Sequence, residues 1–333
     1  MKIYFGSYTK RSSEGVYVAD FDAQTGQLSN LELLVKENNP TYLAFAKDGS
    51  LYTVGATEDG GGIAAYDANY QLLNHVVEEG APLCYVSVDE DRGLVYGANY
   101  HKGQVLVYKR QADGSLVLTD QVTHVGSGPH ENQVSAHAHY TDLTPDKYLV
   151  ACDLGCDKVL TYQVDADGKL APLASYQSTP GAGPRHIAFH PTAKIAYLMC
   201  ELNSTVEVLI YDGLGQFELL QTISTLPEDH TGFNGTAAIR VSNDGKFVYT
   251  SNRGHDSIAV FKVLGDATLE LVEIVSSQGK TPRDFILSPD NQFLIAAHQD
   301  SDNVTVFARN AETGKLSEIS HDFQVPEAVC VLF

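Results

Sequence analysis

Three arginines stand out in this chain of 333 residues, whose formal net charge is −20 at pH 7. Arg185, Arg253 and Arg283 each lie at the border of an apolar segment, in the phrases GPRH, SNRGH and TPRD. A guanidinium group binds carboxylates and phosphates through paired hydrogen bonds and stays charged at any physiological pH. On so acidic a protein, three such groups brought together indicate a pocket for an anionic small molecule.

Glu201 in ELNS and the pair His137 and His139 in HAHY add groups that could accept a proton. Residues two apart in a strand share one face, so the two histidines lie together. The pair is compatible with a metal ligand set, a structural pair, or a base with its helper. Zinc requires a third nearby ligand, and the His-x-His-x-Asp-His run of metallohydrolases is absent. We therefore expect no metal and no other cofactor.

Each of these polar residues also has a structural alternative. An arginine can brace a loop through backbone carbonyls, and Glu201 can serve only as a counter-ion that holds an arginine. Spacing alone does not decide between these roles and a role in binding.

The acidic balance excludes nucleic acid and anionic membrane as partners, because both select for basic surfaces. The five cysteines are odd in number and form no Cys-x-x-Cys pair, which is typical of reduced thiols in the cytosol. The first residues, MKIYFGSY, resemble a strand rather than a signal peptide, and no apolar stretch is long enough to span a bilayer. We expect a soluble, cytoplasmic protein.

A repeated pattern of strands organises the chain. Two copies are PRHIAFHPTAKIAYLMCELNSTVEVLIYD from Pro184 and PRDFILSPDNQFLIAAHQDSDNVTVFAR from Pro282. Each contains three short apolar strands and continues into a fourth, amphipathic one. Such a unit recurs roughly every forty to fifty-five residues, which predicts the four-stranded blades of an all-β propeller.

The two ends of the sequence complete the predicted propeller. PEAVCVLF resembles an innermost strand with nothing after it, whereas KIYFGSYTK and GVYVADFD resemble a second and a third strand with nothing before them. Pairing the terminal strands in one blade closes the ring and removes open edges. We expect seven blades in a single domain that spans residues 1–333.

This topology brings the polar residues to one side. In a four-stranded blade, the loop into the innermost strand and the loop between the second and third strands open on the same face. The residues at innermost-strand entrances are His137, His139, Arg185, His186 and Arg283. The residues that follow second strands are Asp153, Glu201, Asn203, Arg253 and Gln299. We expect both sets to converge on one mouth of the central channel.

The segments GAGPRHIAFHP, CELNSTVEV, HAHYTDLTPD and SNRGHDSIAVF resemble the lactonase family of seven-bladed propellers, which includes 6-phosphogluconolactonases and fungal 3-carboxymuconate cyclases. The resemblance implies hydrolysis of 6-phosphogluconolactone to 6-phosphogluconate without an obligatory metal. It also implies a catalytic set, namely His139, Arg185, Glu201 and Arg253. The other residues at the mouth, His137, Asp153, His186, Asn203, Arg283 and Gln299, are then expected to bind the substrate.

Two classes of function follow from this reading. In a lactone hydrolase, His139 or Glu201 would supply the base, Arg185 or Arg253 would stabilise the oxyanion, and Arg283 would hold a phosphate. A cycloisomerase acting on a muconate would use the same arginines. The other class is a non-catalytic interaction propeller. The chain has no tryptophan and lacks the Trp-Asp signature of WD repeats, and a scaffold has little reason to gather arginines.

Overall fold

The computed structural model describes residues 1–333 and contains β-strands and connecting loops but no helix. It accordingly holds nothing that could serve as a membrane-spanning helix. The strands form seven sheets, each of four antiparallel strands. All five cysteines are free thiols, and four of them are buried. The predicted all-β class and the four-stranded unit are confirmed.

The strands of the first half of the chain are short and are separated by turns. They are β1 Lys2–Ser7, β2 Gly15–Phe21, β3 Leu28–Lys36, β4 Leu43–Phe45, β5 Leu51–Thr57, β6 Gly60–Tyr66, β7 Leu72–Glu78, β8 Tyr85–Asp89, β9 Leu94–Asn99, β10 Gln104–Arg110, β11 Leu116–Thr123, β12 Ala138–Leu143, β13 Leu149–Asp153, β14 Lys158–Val164 and β15 Leu170–Gln177.

The second half repeats the same pattern. Its strands are β16 Pro184–Phe189, β17 Ile195–Cys200, β18 Thr205–Tyr211, β19 Phe217–Ser224, β20 Gly235–Val241, β21 Phe247–Arg253, β22 Ser257–Val263, β23 Leu269–Ser276, β24 Pro282–Leu287, β25 Phe293–His298, β26 Asn303–Arg309, β27 Leu316–Gln324 and β28 Ala328–Leu332.

Six of the sheets consist of four consecutive strands, from β4 through β27, and the seventh has the order β28-β1-β2-β3. In this last sheet β28 runs antiparallel to β1, with Phe5 opposite Val331 and Gly6 opposite Cys330. Strands from the two ends of the sequence therefore lie side by side and share their backbone hydrogen bonds.

The chain divides into two compact units. The first unit comprises Met1–Lys36, His186–Ile210 and Glu218–Phe333, and the second comprises Glu37–Arg185 and Tyr211–Phe217. The sheets β20–β23, β24–β27 and β28-β1-β2-β3 belong to the first unit, and β4–β7, β8–β11 and β12–β15 belong to the second. That the chain is a single domain stays a prediction.

Burial follows the position of a strand in its sheet. The second strands β9, β17 and β25 are buried along their whole length. The fourth strands β15 and β19 are mostly exposed or half-buried. Each sheet thus has a covered middle and a solvent-facing outer edge, which explains the continuous apolar runs of the middle strands and the alternation of the outer ones.

Tyrosine hydroxyls join neighbouring sheets within each unit. In the first unit Tyr249 donates to the carbonyl of Gly314 at 2.9 Å, and Arg309 Nε donates to the same hydroxyl at 2.7 Å. In the second unit Tyr52 donates to the carbonyl of Gly114 at 3.0 Å, and Arg110 Nε donates to it at 2.8 Å. A buried phenol needs such a partner, so the repeat places one where a neighbouring hairpin offers a carbonyl.

The connection between the second and third strands ends, in five sheets, on a residue with positive φ, which we call the left-handed turn residue. These residues are Gly103, Asp157, Ser204, Asp256 and Asp302, with φ between 53° and 61°. Their carbonyls accept the N–H of the residue that directly follows the fourth strand of the same sheet, as Asp157 does from Ser178 at 2.9 Å. The end of each of these sheets is thereby tied to its own hairpin.

The aspartates at this position also hold the loop that leads into the next innermost strand. Asp157 accepts the N–H groups of Gly181 and Gly183 at 2.7 and 2.8 Å, just before β16. Asp256 accepts the N–H of Thr281 at 2.9 Å, just before β24. Loops without regular structure need partners for their backbone groups, and this repeated aspartate supplies them.

Aromatic rings line the innermost strands of the second unit. The rings of Tyr42 and Tyr85 stack at 4.0 Å between centroids, and Tyr140 packs on Tyr85 at 4.5 Å. Asp142 lies two residues after Tyr140 and accepts a hydrogen bond from the N–H of Leu143 at 2.7 Å. Burial raises the pKa of Asp142 to about 6, and the negative charge of Asp89 acts in the same direction.

Replacing Asp142 with asparagine should raise the melting temperature at about pH 8. At this pH the carboxyl group is ionised, although its buried surroundings favour the neutral form. The native state binds this proton more tightly than the unfolded chain, so the penalty is full above a pH of about 6 and fades as the pH falls towards 3.8. Its upper limit is about 3 kcal/mol. Melting curves of both proteins from about pH 4 to pH 8 measure it, and a difference in Tm that does not change with pH would contradict this assignment.

Candidate functional site

Five polar residues of the first unit form a group that we call the arginine cluster. Glu201 directly follows β17, Gln299 directly follows β25, and Arg253 is the last residue of β21. Tyr8 directly follows β1, and Arg283 is the second residue of β24. All but Arg283 therefore occupy the same place in the repeat, at the end of a second strand.

The centre of the arginine cluster is an ion pair. Arg253 Nη2 lies 2.9 Å from Glu201 Oε1, and the two side chains are only 14% and 22% exposed. The same guanidinium donates to the carbonyls of Gly235 and Thr236, each at 3.1 Å. Its position is therefore fixed by the carboxylate on one side and by the start of β20 on the other.

The charges around Arg253 are unbalanced. Burial lowers the pKa of its guanidinium below its usual range, and the neighbouring Arg283 acts in the same direction, whereas Glu201 and Tyr8 oppose the shift. Arg283 Nη1 lies 3.5 Å from Gln299 Oε1, and its guanidinium carbon lies 5.6 Å from the centre of the Tyr8 ring. Of the two guanidinium groups only that of Arg253 is paired with a carboxylate, so the cluster carries a net positive charge.

Gly235 allows this geometry. A Cβ atom at this position would lie 3.2 Å from Arg253 Nη2 and 3.5 Å from Glu201 Cγ. Its backbone is not in the left-handed region, so glycine is favoured here by the close approach of the ion pair rather than by conformation.

Two histidines and a tyrosine of the second unit form a separate group, which we call the histidine cluster. The ring of His137 stacks on that of Tyr100 at 4.3 Å, and its Nδ1 lies 2.8 Å from the Tyr100 carbonyl oxygen. His139 is buried and meets the same tyrosine ring edge-on at 5.9 Å. The predicted pair of histidines is therefore organised around an aromatic side chain.

Asp153 lies beneath this cluster and is fully buried. Its Oδ2 lies 2.7 Å from His124 Nδ1, and its Oδ1 accepts the N–H groups of His137, Gly155 and Cys156. Burial by itself would raise the pKa of Asp153, but these hydrogen bonds hold it below its usual range. Because its oxygens are already occupied, the structure favours a positioning role over the predicted contact with substrate.

Three further predicted residues are Arg185, His186 and Asn203. Arg185 is the second residue of β16, and both it and His186 are buried. Asn203 is exposed, and its Oδ1 accepts a hydrogen bond from Thr205 at 2.8 Å within its own turn. Over residues 1–333 no three histidine, cysteine, aspartate or glutamate side chains are grouped as a metal ligand set. The predicted roles of Arg185, His186 and Asn203 stay predictions.

Sequence reasoning missed Tyr8 and Tyr100. Each directly follows the second strand of its sheet, Tyr8 after β1 and Tyr100 after β9, which is the position of Glu201 and Gln299. The repeat itself was therefore the available signal. Residue type alone does not indicate a site at these positions, because an aromatic residue next to a strand is usually part of the core.

Seven four-stranded sheets define a β-propeller protein, and two arginine side chains are grouped around the ends of second strands in its first unit. Residues 2–333 match the family described as lactonase, 7-bladed beta-propeller. The chain belongs to this family, which confirms the predicted fold class.

Three relatives show the range of the family. A 6-phosphogluconolactonase from Bacillus subtilis is 44% identical over 99% of this chain and 97% of its own. A crystal structure of a protein from Lactobacillus plantarum has a TM-score of 0.97 at 47% identity, over 99% of this chain and 98% of that chain. The periplasmic gluconolactonase of Pseudomonas aeruginosa has a TM-score of 0.92 at 32% identity, over 99% of this chain and 98% of that chain.

Replacing Gly235 with alanine should weaken the binding of inorganic phosphate by about tenfold, because the added methyl group pushes Arg253 away from Glu201. Isothermal titration calorimetry measures the affinity. Gly265→Ala is the matched control, because a Cβ atom there would have no neighbour within 4 Å. Equal affinities in the two variants would show that the position of Arg253 does not matter for anions.

Proposed function

We propose that this protein hydrolyses a sugar lactone, and that its substrate is 6-phosphogluconolactone, which it converts to 6-phosphogluconate. The enclosed pair of Arg253 and Glu201 beside Arg283 is the observation that carries this proposal. Membership of the lactonase family supports it, as does the 44% identity to the 6-phosphogluconolactonase of Bacillus subtilis.

Ring opening needs a base and a positive charge. A water oxygen attacks the lactone carbonyl carbon while a base takes the water proton, and the carbonyl oxygen becomes an oxyanion. The bond to the ring oxygen then breaks, and this oxygen leaves as a hydroxyl group after taking up a proton. Glu201 would be the base, and the fixed guanidinium of Arg253 beside it would stabilise the oxyanion. His139 and Arg185 are the predicted alternatives for these two roles.

Arg283 is suited to the phosphate of this substrate. It is half-buried, and its contacts are an amide oxygen at 3.5 Å and a tyrosine ring rather than a carboxylate. Its charge is therefore not neutralised by a direct partner of opposite sign, and a phosphate would bind it with paired hydrogen bonds. A 6-phosphogluconolactonase would act in the oxidative pentose phosphate pathway, and the free thiols are in keeping with the cytoplasm.

Replacing Arg253 with lysine should lower kcat/KM for 6-phosphogluconolactone by about a hundredfold, because lysine keeps the charge but loses the fork that reaches both Glu201 and the β20 carbonyls. The assay compares the decay of fresh lactone with its spontaneous rate. Arg309→Lys is the matched control, since Arg309 is a buried arginine of the same unit bonded to Tyr249. It should lower the melting temperature and leave kcat/KM near the wild-type value.

Two results would count against this proposal. Wild-type protein that does not accelerate lactone decay would exclude the activity. A fully active Arg253→Lys variant would exclude Arg253 as the group that stabilises the transition state.

Exhaustive dialysis against EDTA should leave the activity unchanged, because the proposed chemistry uses only arginine and carboxylate side chains. The measurement is the initial rate before and after dialysis, with zinc or calcium added back. Loss of activity that either metal restores would show that the reaction depends on a metal ion, and the histidine cluster would then be the first place to look for its ligands.

A further inference from the structure

We propose that the segment from Tyr8 to Ser13 forms part of the anion site, that Tyr8 with Lys10 selects phosphorylated over unphosphorylated ligands, and that Glu327 positions this segment. The proposal rests on the proposed function for the identity of the ligand, a sugar phosphate. The arrangement of the segment itself does not depend on the reaction.

Glu327 holds the segment by its backbone. This residue is buried, has a φ of 51°, and directly precedes β28. Its carboxylate accepts four successive N–H groups, those of Lys10 at 3.1 Å, Arg11 at 2.8 Å, Ser12 at 3.1 Å and Ser13 at 3.2 Å. Its carbonyl accepts the N–H of Tyr8 at 3.1 Å. One residue thus holds the backbone of five of the six residues from Tyr8 to Ser13.

The carboxylate is well suited to this task. Burial alone would raise the pKa of Glu327, but the backbone N–H groups stabilise the charged form and hold the pKa below its usual range. Its own N–H donates to Asp302 Oδ1 at 2.7 Å, so the left-handed turn residue of the neighbouring sheet fixes Glu327 in turn.

The segment contacts the arginine cluster on two sides. The Tyr8 ring contacts two cations, with Lys10 Nζ 4.0 Å and the Arg283 guanidinium carbon 5.6 Å from its centre. Arg11 donates to the carbonyl of Gln299 at 2.8 Å and to Asp302 at 2.6 Å. Arg283 is therefore flanked by an aromatic face from the segment and by Gln299, whose backbone the segment holds.

This arrangement favours a doubly charged ligand. A cation over an aromatic face is held in place without being neutralised, unlike a cation paired with a carboxylate. Tyr8 thus contacts both Lys10 and Arg283 and leaves their charges available. A phosphate monoester offers three terminal oxygens and close to two negative charges, which such a group of cations would bind far better than a neutral hydroxyl group.

The test is calorimetric titration of the full chain with 6-phosphogluconate and with gluconate, in the wild type and in Tyr8→Leu, Tyr8→Phe and Glu327→Gln. We expect Tyr8→Leu to weaken 6-phosphogluconate binding about tenfold and to leave gluconate binding unchanged. Glu327→Gln should have a similar effect because the segment loses its charged acceptor. Tyr8→Phe keeps the aromatic ring, so any loss of 6-phosphogluconate affinity in this variant is due to the missing hydroxyl group.

Two control variants match these changes away from the cluster. Tyr249→Phe removes a buried hydroxyl that bonds Gly314, and Asp22→Asn removes the charge of a carboxylate that accepts the N–H of Gln24 at 2.8 Å. Neither should change the affinity for 6-phosphogluconate. In steady-state kinetics, Tyr8→Leu should raise KM for the phosphorylated lactone about tenfold and change kcat by less than about twofold, which a loss of overall structure would not do.

The outcomes separate this inference from the proposed function. Wild-type protein that binds 6-phosphogluconate but does not hydrolyse its lactone would refute the proposed reaction, and the ratio of affinities in Tyr8→Leu would still decide the inference. Wild-type affinity in Tyr8→Leu, or an equal loss for gluconate and 6-phosphogluconate, would overturn it. If Glu327→Gln does not fold, the Tyr8 variants decide the question alone.

Discussion

The hydrogen bonds made by the left-handed turn residue are the interaction on which the rest of the structure depends. Its carbonyl ties down the end of the fourth strand, and its carboxylate, where it is an aspartate, holds the loop that leads into the next sheet. Asp157 holds the loop before Arg185, Asp256 the loop before Arg283, and Asp302 the loop with Glu327. The repeat thus holds the backbone of each of these loops in place, and each loop can carry a different side chain.

The charge of the whole chain explains why a small number of arginines is enough to make one region positive. The chain has 42 acidic and 22 basic residues, so its general surface repels anions. Within the arginine cluster, Arg253 is paired with Glu201, whereas Arg283 contacts an amide and an aromatic ring. The paired arginine has a fixed geometry, and the other keeps its charge available. Under the proposed function, the first arginine would orient the ligand and the second would attract it.

The sequence predicts the sheets and part of the site for the same reason, namely that each repeat is a copy of one pattern. Glu201, Arg253 and Gln299 could be placed because they end second strands and their types suggest chemistry. Tyr8 has the same position, but its type suggested packing. Glu327 could not be found, because its partners lie more than 300 residues away and are backbone groups that any sequence supplies. The backbone N–H groups that Asp153 accepts could not be inferred from residue types either, and its predicted contact with substrate stays a prediction.

The pairing of β28 with β1 has a consequence for biosynthesis. Lys10 leaves the ribosome 317 residues before Glu327, the residue that gives the segment of Tyr8 and Lys10 its shape. Until residue 327 is available, four successive backbone N–H groups of this segment lack the acceptor that they have in the folded protein. Contacts over so long a separation form late in folding. A nascent chain can therefore complete several sheets while its arginine cluster is still unassembled.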